Sequence, residues 1–333
     1  PILMFVVALA ISLVFSIIWP VFGFALYKFG SVAGQAPAGL NSLVFGYVER
    51  ALVPTGLHHA FYSPLWYTAA GGTMNLTSTM QIWNGSAFVD KIYSLDGTQL
   101  ATWQQFCMKI GISRTDWNVQ GDQNCWMMIY SIAGNKVHLG SADGPLYTIT
   151  FDTFKQISIH DPNGSITGVN AGQYMQGKFP FMLLGLPLAA FGIVMAAPKG
   201  DGRKTAMSAV MGSALTCFLT GITEPLEFTF LFLAPALYFG FHAALCAVSF
   251  WLMNLLGAHC GLTFSGGAID YVIYGILPDA MGDGTNCYWA LIIGAGLSVA
   301  YFFGFWGIIT RMDIKTPGRE GASDKLMTRA DYN

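Results

Sequence analysis

Glu224 and Glu227 stand three residues apart in Gly221-Ile-Thr-Glu-Pro-Leu-Glu-Phe228, inside a long apolar stretch. No Asp, Glu, Lys or Arg occurs from Thr205 to Thr223 or from Phe228 to Ile269. An ionisable residue at membrane depth is costly and by default marks a functional site. Pro225 removes a backbone donor between the two carboxylates and predicts a helix break there. Broken backbone at that depth is tolerated only where it is buried in protein or lines a cavity. The chemistry on offer is the recognition of a polar solute. A carboxylate accepts hydrogen bonds from two neighbouring hydroxyls, and desolvation makes those bonds discriminating. This clamp is assigned to Glu224. Glu227 is a second candidate that can equally bond the broken backbone beside it. For both, the structural alternative is a carboxylate at a helix N-terminus, where negative charge is favourable.

A second polar island is Gly46-Tyr-Val-Glu49-Arg50-Ala-Leu-Val-Pro54-Thr-Gly56-Leu-His58-His59. Arginine suits bidentate recognition of phosphate or carboxylate. Three readings of Arg50 stay open: contact with substrate or a transferred phosphate, pairing with Glu49, or a place at the interface. His58 and His59 are adjacent and point in different directions on any regular element, so at most one faces a site. His58 is the one read as hydrogen-bond partner or proton acceptor. The pair lacks the spacing and third ligand of a zinc site, and no metal or cofactor is expected. A third cluster, Gly261-Leu-Thr-Phe-Ser-Gly-Gly-Ala-Ile-Asp270, adds Phe264 and Ser265 as substrate-binding candidates. Asp270 is read as a helix cap, and His242 and His259 as packing residues on apolar helices.

The elements that must position these groups are membrane elements. Of 333 residues, 53% are hydrophobic and 10% charged, against about 25% charged in a soluble domain. The net charge of −2 gives no reason to expect nucleic acid. Residues 1–74 read as a transmembrane helix ending near Trp19-Pro20, an amphipathic segment over 28–48, and a first re-entrant segment around Pro54 and Gly56. Residues 75–178 hold seven acidic and six basic residues and no spanning run. They read as a polar extramembrane loop subdomain with short strands at 135–140 and 146–151. Cys107 and Cys125 lie in it and could pair if it is extracytoplasmic. Residues 179–310 read as a transport core with a second re-entrant segment around 221–228. Residues 311–333 read as a cytoplasmic linker. The basic turn at 199–204 and the basic tail share the cytoplasmic side by the positive-inside rule, and that parity agrees with a re-entrant segment at Glu224. The predicted fold is an all-α polytopic membrane protein with re-entrant hairpins. The chain starts inside an apolar run without an initiator methionine and is expected to be a fragment.

Four motifs, in order, carry a resemblance. They are Glu49-Arg-Ala-Leu-Val-Pro-Thr-Gly-Leu-His-His59, Thr220-Gly-Ile-Thr-Glu-Pro-Leu-Glu-Phe228, Thr263-Phe-Ser-Gly-Gly-Ala-Ile-Asp270 and Lys315-Thr-Pro-Gly-Arg-Glu320. The chain resembles the membrane-spanning IIC component of the glucose superfamily of the bacterial phosphoenolpyruvate-dependent sugar phosphotransferase system. The resemblance implies a multi-pass protein of the bacterial cell membrane that imports a sugar, with glucose the first expectation and maltose or N-acetylglucosamine the nearest others. It implies sugar hydroxyls at Glu224, with Arg50 and His58 at the same site, where His58 or Glu224 takes the hydroxyl proton and Arg50 offsets the incoming charge; His59, Glu227, Phe264 and Ser265 are further substrate-binding candidates from the residues themselves. It also implies partners: a IIB domain whose phosphocysteine phosphorylates the sugar, a IIA domain upstream of it, and a second copy in a full-length homodimer. Without IIB the chain is the permease part of that phosphotransferase. An ion-coupled secondary sugar transporter without phosphorylation and a sugar sensor are the alternatives from other classes.

Overall fold

The computed structural model describes residues 2–33, 39–161 and 163–319. Helix α1 (Ile2–Ala33) runs on through Pro20, past the helix end expected at Trp19-Pro20. One missing N–H removes one hydrogen bond from a helix whose apolar length favours continuing. Helices α2 (Leu40–Leu52) and α3 (His58–Tyr67) follow. Then come three short helices, α4 (Trp103–Lys109), α5 (Asp122–Ile132) and α6 (Phe151–His160). Next come α7 (Lys178–Ala196), α8 (Asp201–Thr220), the short α9 (Glu224–Leu231), α10 (Leu237–Leu255) and α11 (Tyr288–Arg311), with a further helical stretch, residues 268–281, between α10 and α11. Among the described residues four helices are long and apolar enough to cross a membrane, namely α7, α10, α11 and Leu3–Ala25 of α1. The chain is an α-helical, multi-pass membrane protein.

Two compact units make up the chain: residues 1–41, 59–174 and 282–284 form one, and 42–58, 175–281 and 285–333 the other.

The first unit contains the polar subdomain. Its strands are β1 (Thr73–Asn75), β2 (Ile82–Trp83), β3 (Phe88–Val89), β4 (Ile92–Tyr93), β5 (Gln99–Leu100), β6 (Asn118–Gln120), β7 (Lys136–Leu139), β8 (Leu146–Thr148) and β9 (Ile166–Thr167). All pairings are antiparallel: β6-β1-β9, β2-β3 and β5-β4-β7-β8. The two strands expected near 135–140 and 146–151 are β7 and β8, paired Val137 to Tyr147. Trp103, Trp126, Phe151 and Phe154 are buried at the subdomain's core. Cys107 and Cys125 are both buried free thiols, so the pairing considered above is not made.

Asp122 anchors the end of this unit. Its Oδ1 accepts the Gly172 N–H and its Oδ2 the Tyr174 N–H, each at 2.9 Å. Burial pushes its carboxyl up to about 7, outweighing the opposite pull of the backbone donors of Tyr174, Gly172 and Gln173. Folding then takes up a proton that the unfolded chain loses near pH ~4. The stability tied to this group is present below that value and is lost as pH rises through about 7. Hydrogen-exchange protection of the Gly172 and Tyr174 amides is expected to fall between those two pH values and to stay flat in Asp122→Asn. A flat wild-type profile would refute this.

In the second unit α7 packs against α8 and α11. Small residues let the backbones close up. A Cβ on Gly192 would come within 2.8 Å of the Phe302 carbonyl oxygen, and one on Gly294 within 3.0 Å of the Pro180 carbonyl oxygen. Both α7 and α10 carry a π-helical turn, Phe181–Gly185 and Leu237–His242 respectively.

Candidate functional site

The break that matters precedes Glu224. Helix α8 ends at Gly221, whose φ of 76° is a left-handed conformation open to glycine. Its N–H closes the helix on the Cys217 carbonyl at 2.8 Å. The chain restarts as α9 with Glu224 first and Pro225 in the opening turn. A missing N–H costs nothing there, because the first turn has no intrahelical partner for it. The helix break expected at Pro225 is therefore a helix start, and the two glutamates share one short helix, as i and i+3.

Their environments differ sharply. The Glu227 side chain is fully buried, while that of Glu224 is 36% exposed. Glu227 Oε1 takes Arg50 Nη1 at 3.1 Å and lies 3.1 Å from His242 Nε2. The Tyr238 hydroxyl donates to the Arg50 carbonyl oxygen at 2.9 Å and lies 3.4 Å from Glu227 Oε2.

Arg50 sits in the last turn of α2, and α2 ends in a 3-10 turn at Val53–Thr55 that Pro54 favours and Gly56 closes at φ 71°. This brings His58 round to open α3. The Arg50 guanidinium is buried. It bonds Glu49 through Nε at 3.4 Å and Nη2 at 3.2 Å, and Thr223 Oγ1 through Nη1 at 3.1 Å. Its Cζ lies 5.2 Å from the Phe181 ring centroid. Of the three readings of Arg50, the pairing with Glu49 is the one made in this conformation, and Glu227 is its second partner. Lys178 Nζ reaches Glu49 Oε1 at 2.8 Å. Two cations, Lys178 and Arg50, thus face two carboxylates, Glu49 and Glu227, in one buried lattice. Balance of this kind is what makes buried charge tolerable, since an unmatched one is strongly destabilising.

The more open face of the site is Glu224 with His58, whose Nε2 is 3.8 Å from Glu224 Oε1. That is ion-pair range and beyond hydrogen-bond range. Thr223 joins the two faces through Arg50. Beside them, residues 263–267 form a tight loop. Asp270 Oδ2 accepts the N–H groups of Thr263, Phe264 and Ser265 at 2.9, 2.7 and 3.0 Å. Asp270 therefore does not cap the helix, as read from the sequence: the N-cap of Ala268–Tyr271 is Gly267, and Asp270, inside that helix, ties down the loop before it. Ser265 Oγ donates to the Gly221 carbonyl at 2.9 Å. Phe264 is 69% exposed.

The structure therefore brings Arg50, His58, Glu224, Glu227 and Ser265 into the second unit. His59 belongs to the first unit, where its Nδ1 lies 2.5 Å from the Tyr62 hydroxyl. Three participants escaped the sequence reading. Lys178 falls at the end of the loop read over 75–178, His242 is read as packing, and Tyr238 is not singled out. The sequence signal for Lys178 and His242 was their place at the edge of, or within, otherwise charge-free helices.

The comparison with known families decides the class. The family described as "Phosphotransferase system, EIIC" matches residues 1–116 and 117–247. The chain belongs to the phosphotransferase system EIIC family. It is similar to a "PTS system glucose-specific EIICBA component" of Mycoplasma genitalium, 36% identical over all of the chain and 46% of the relative. The protein of that name from Mycoplasma pneumoniae is 36% identical over the same shares. A "PTS system glucoside-specific EIICBA component" of Staphylococcus carnosus is 33% identical over 96% of the chain and 35% of the relative. The EIIC chain spans less than half the length of these curated relatives.

Proposed function

We propose that this EIIC chain imports a sugar of the glucose or glucoside type and presents it for phosphorylation by a IIB domain. The observation that carries the reading is the contrast between two faces of one site. Glu224 is partly open, with His58 3.8 Å away, so a sugar hydroxyl arriving at that edge can bond to both. Arg50, Glu49, Glu227 and Lys178 behind them are buried and already paired. The first face suits hydroxyl recognition and the second suits positioning and charge balance. Phosphoryl transfer through a loose transition state asks for those more than for a strong base. In this reading Glu224 clamps sugar hydroxyls and His58 bonds the hydroxyl that will be phosphorylated and takes its proton. Arg50 offsets the charge of the incoming phosphoryl group. Ser265 holds the loop beside the sugar and Phe264 covers the ring, while His59 stands outside this set. The relatives' names, which pair glucose or glucoside with EIICBA, support both the sugar class and the IIB and IIA partner domains.

The test is uptake of labelled glucose and of a labelled β-glucoside by vesicles carrying the full-length protein, with the product scored as free or phosphorylated. The expected product is sugar phosphate, formed only with phosphoenolpyruvate and the upstream phosphocarriers. Free sugar accumulated on a proton gradient would replace this reading with ion-coupled transport. Binding without uptake would replace it with sensing.

A further inference from the structure

We infer that His242 is a positioning residue for the phosphoryl-transfer step, acting through Glu227 on Arg50; this rests on the function proposed above. His242 lies at the end of the π-helical turn in α10, four residues after Tyr238. π-turns recur at functional sites because the extra residue re-aims side chains that an α-helix would point elsewhere. Here Tyr238 and His242 both reach Glu227.

The imidazole is fully buried. Phe181, Phe230 and Tyr238 surround it, with ring centroids 6.3, 5.7 and 5.2 Å away. Its contact with Glu227 has one direction in either protonation state. Glu227, facing the permanent charge of Arg50, is a carboxylate and can only accept. His242 therefore donates from Nε2 to Glu227 Oε1 across 3.1 Å. Its Nδ1 lies 2.9 Å from the Tyr301 hydroxyl, from which it accepts as the neutral imidazole and to which it donates as the imidazolium. The Cys246 thiol lies 3.4 Å from that hydroxyl and can donate to it in turn. Cys246, Tyr301 and His242 form one contact chain that ends on the same oxygen, Oε1, that takes Arg50 Nη1. Oε1 is thus fixed from two sides, and with it the guanidinium. Without His242 the carboxylate loses one of the two donors on that oxygen and keeps Arg50 there and Tyr238 at Oε2, so the Glu227 side of the Arg50 fork is less tightly fixed. Positioning losses of this sort appear in turnover more than in substrate affinity, because the sugar is held elsewhere, by Glu224 and His58.

Three variants of the full-length protein test this, with phosphoenolpyruvate-driven glucose phosphorylation as the assay. In His242→Leu both hydrogen bonds go. The turnover is expected to fall about tenfold or more, with the KM for sugar within about threefold of wild type. In His242→Gln the amide nitrogen can donate to Glu227 and the amide oxygen can accept from Tyr301. That variant is expected to keep at least about half of wild-type turnover. Tyr301→Phe removes only the orienting hydroxyl and is expected to lower turnover about threefold. The inference is overturned if His242→Gln is as impaired as His242→Leu, if KM rises in step with the loss of turnover, or if Tyr301→Phe turns over like wild type. Should His242→Leu not fold, the other two variants decide alone. Wild-type protein that makes no sugar phosphate sinks the proposed function and the inference with it; an active wild type with insensitive variants sinks the inference only.

Discussion

Glu224→Gln is expected to weaken sugar binding and uptake by roughly thirtyfold to a hundredfold while leaving the melting temperature unchanged. The size follows from what the substitution alters. Glutamine keeps the shape but turns two charge-assisted hydrogen bonds to sugar hydroxyls into neutral ones. The difference is about 1 kcal/mol per bond or a little more, and two bonds make about 2–3 kcal/mol, or roughly thirtyfold to a hundredfold. The fold should not notice. The Glu224 side chain is more than one-third exposed, and its ion-pair partner His58 lies beyond hydrogen-bond reach. Equilibrium binding of labelled glucose and thermal unfolding in detergent, measured on the same preparation, check both halves. Wild-type affinity would remove Glu224 from the sugar site.

Arg50→Met should do the opposite, costing about 3–5 kcal/mol of stability, the range for breaking a buried ion pair from one side. Glu49 and Glu227 would be left buried, with Lys178 bonded to Glu49 and only His242, Tyr238 and neighbouring dipoles about Glu227. At roughly 2–4 °C per kcal/mol for a larger domain, the melting temperature should drop by about 10 °C. Arg50→Lys should recover only part of this, because a lysine cannot contact Glu49, Thr223 and Glu227 together in the fork geometry seen here. A melting temperature within about 2 °C of wild type would show that the lattice is not held together by Arg50.

The contrast between these two substitutions marks what was legible in the sequence and what was not. A carboxylate in a charge-free run is visible by inspection, and so is a proline beside it; both Glu224 and Glu227 stand out for that reason. Their separation into an open and a closed residue depends on which way a short helix faces. The sequence placed the break at Pro225, whereas the backbone turns at Gly221, because a proline inside the first turn is a helix starter. His242 was illegible on other grounds. Its partners Glu227 and Tyr301 lie 15 and 59 residues away, and a π-turn, which has no sequence periodicity of its own, aims it at them. Lys178 reads as a loop charge until the span that begins at it is seen to bury it against Glu49. The antiparallel pair β7 and β8 was legible because each segment is long enough to show the two-residue period of a strand. The two-residue strands β2 to β5 were too short to alternate.

The seam between the turn at Gly221 and the loop at Gly266-Gly267 is made of main chain. A Cβ at Gly267 would lie 2.5 Å from the Gly221 nitrogen, and one at Gly221 2.7 Å from the Gly267 nitrogen. The one side-chain atom that enters it is the Ser265 hydroxyl, held by the Gly221 carbonyl at 2.9 Å, so little there can repack when a neighbour changes. The consequence is mechanical: Phe264, whose exposed side chain lies outside this seam, can be replaced without disturbing the way the two loops meet.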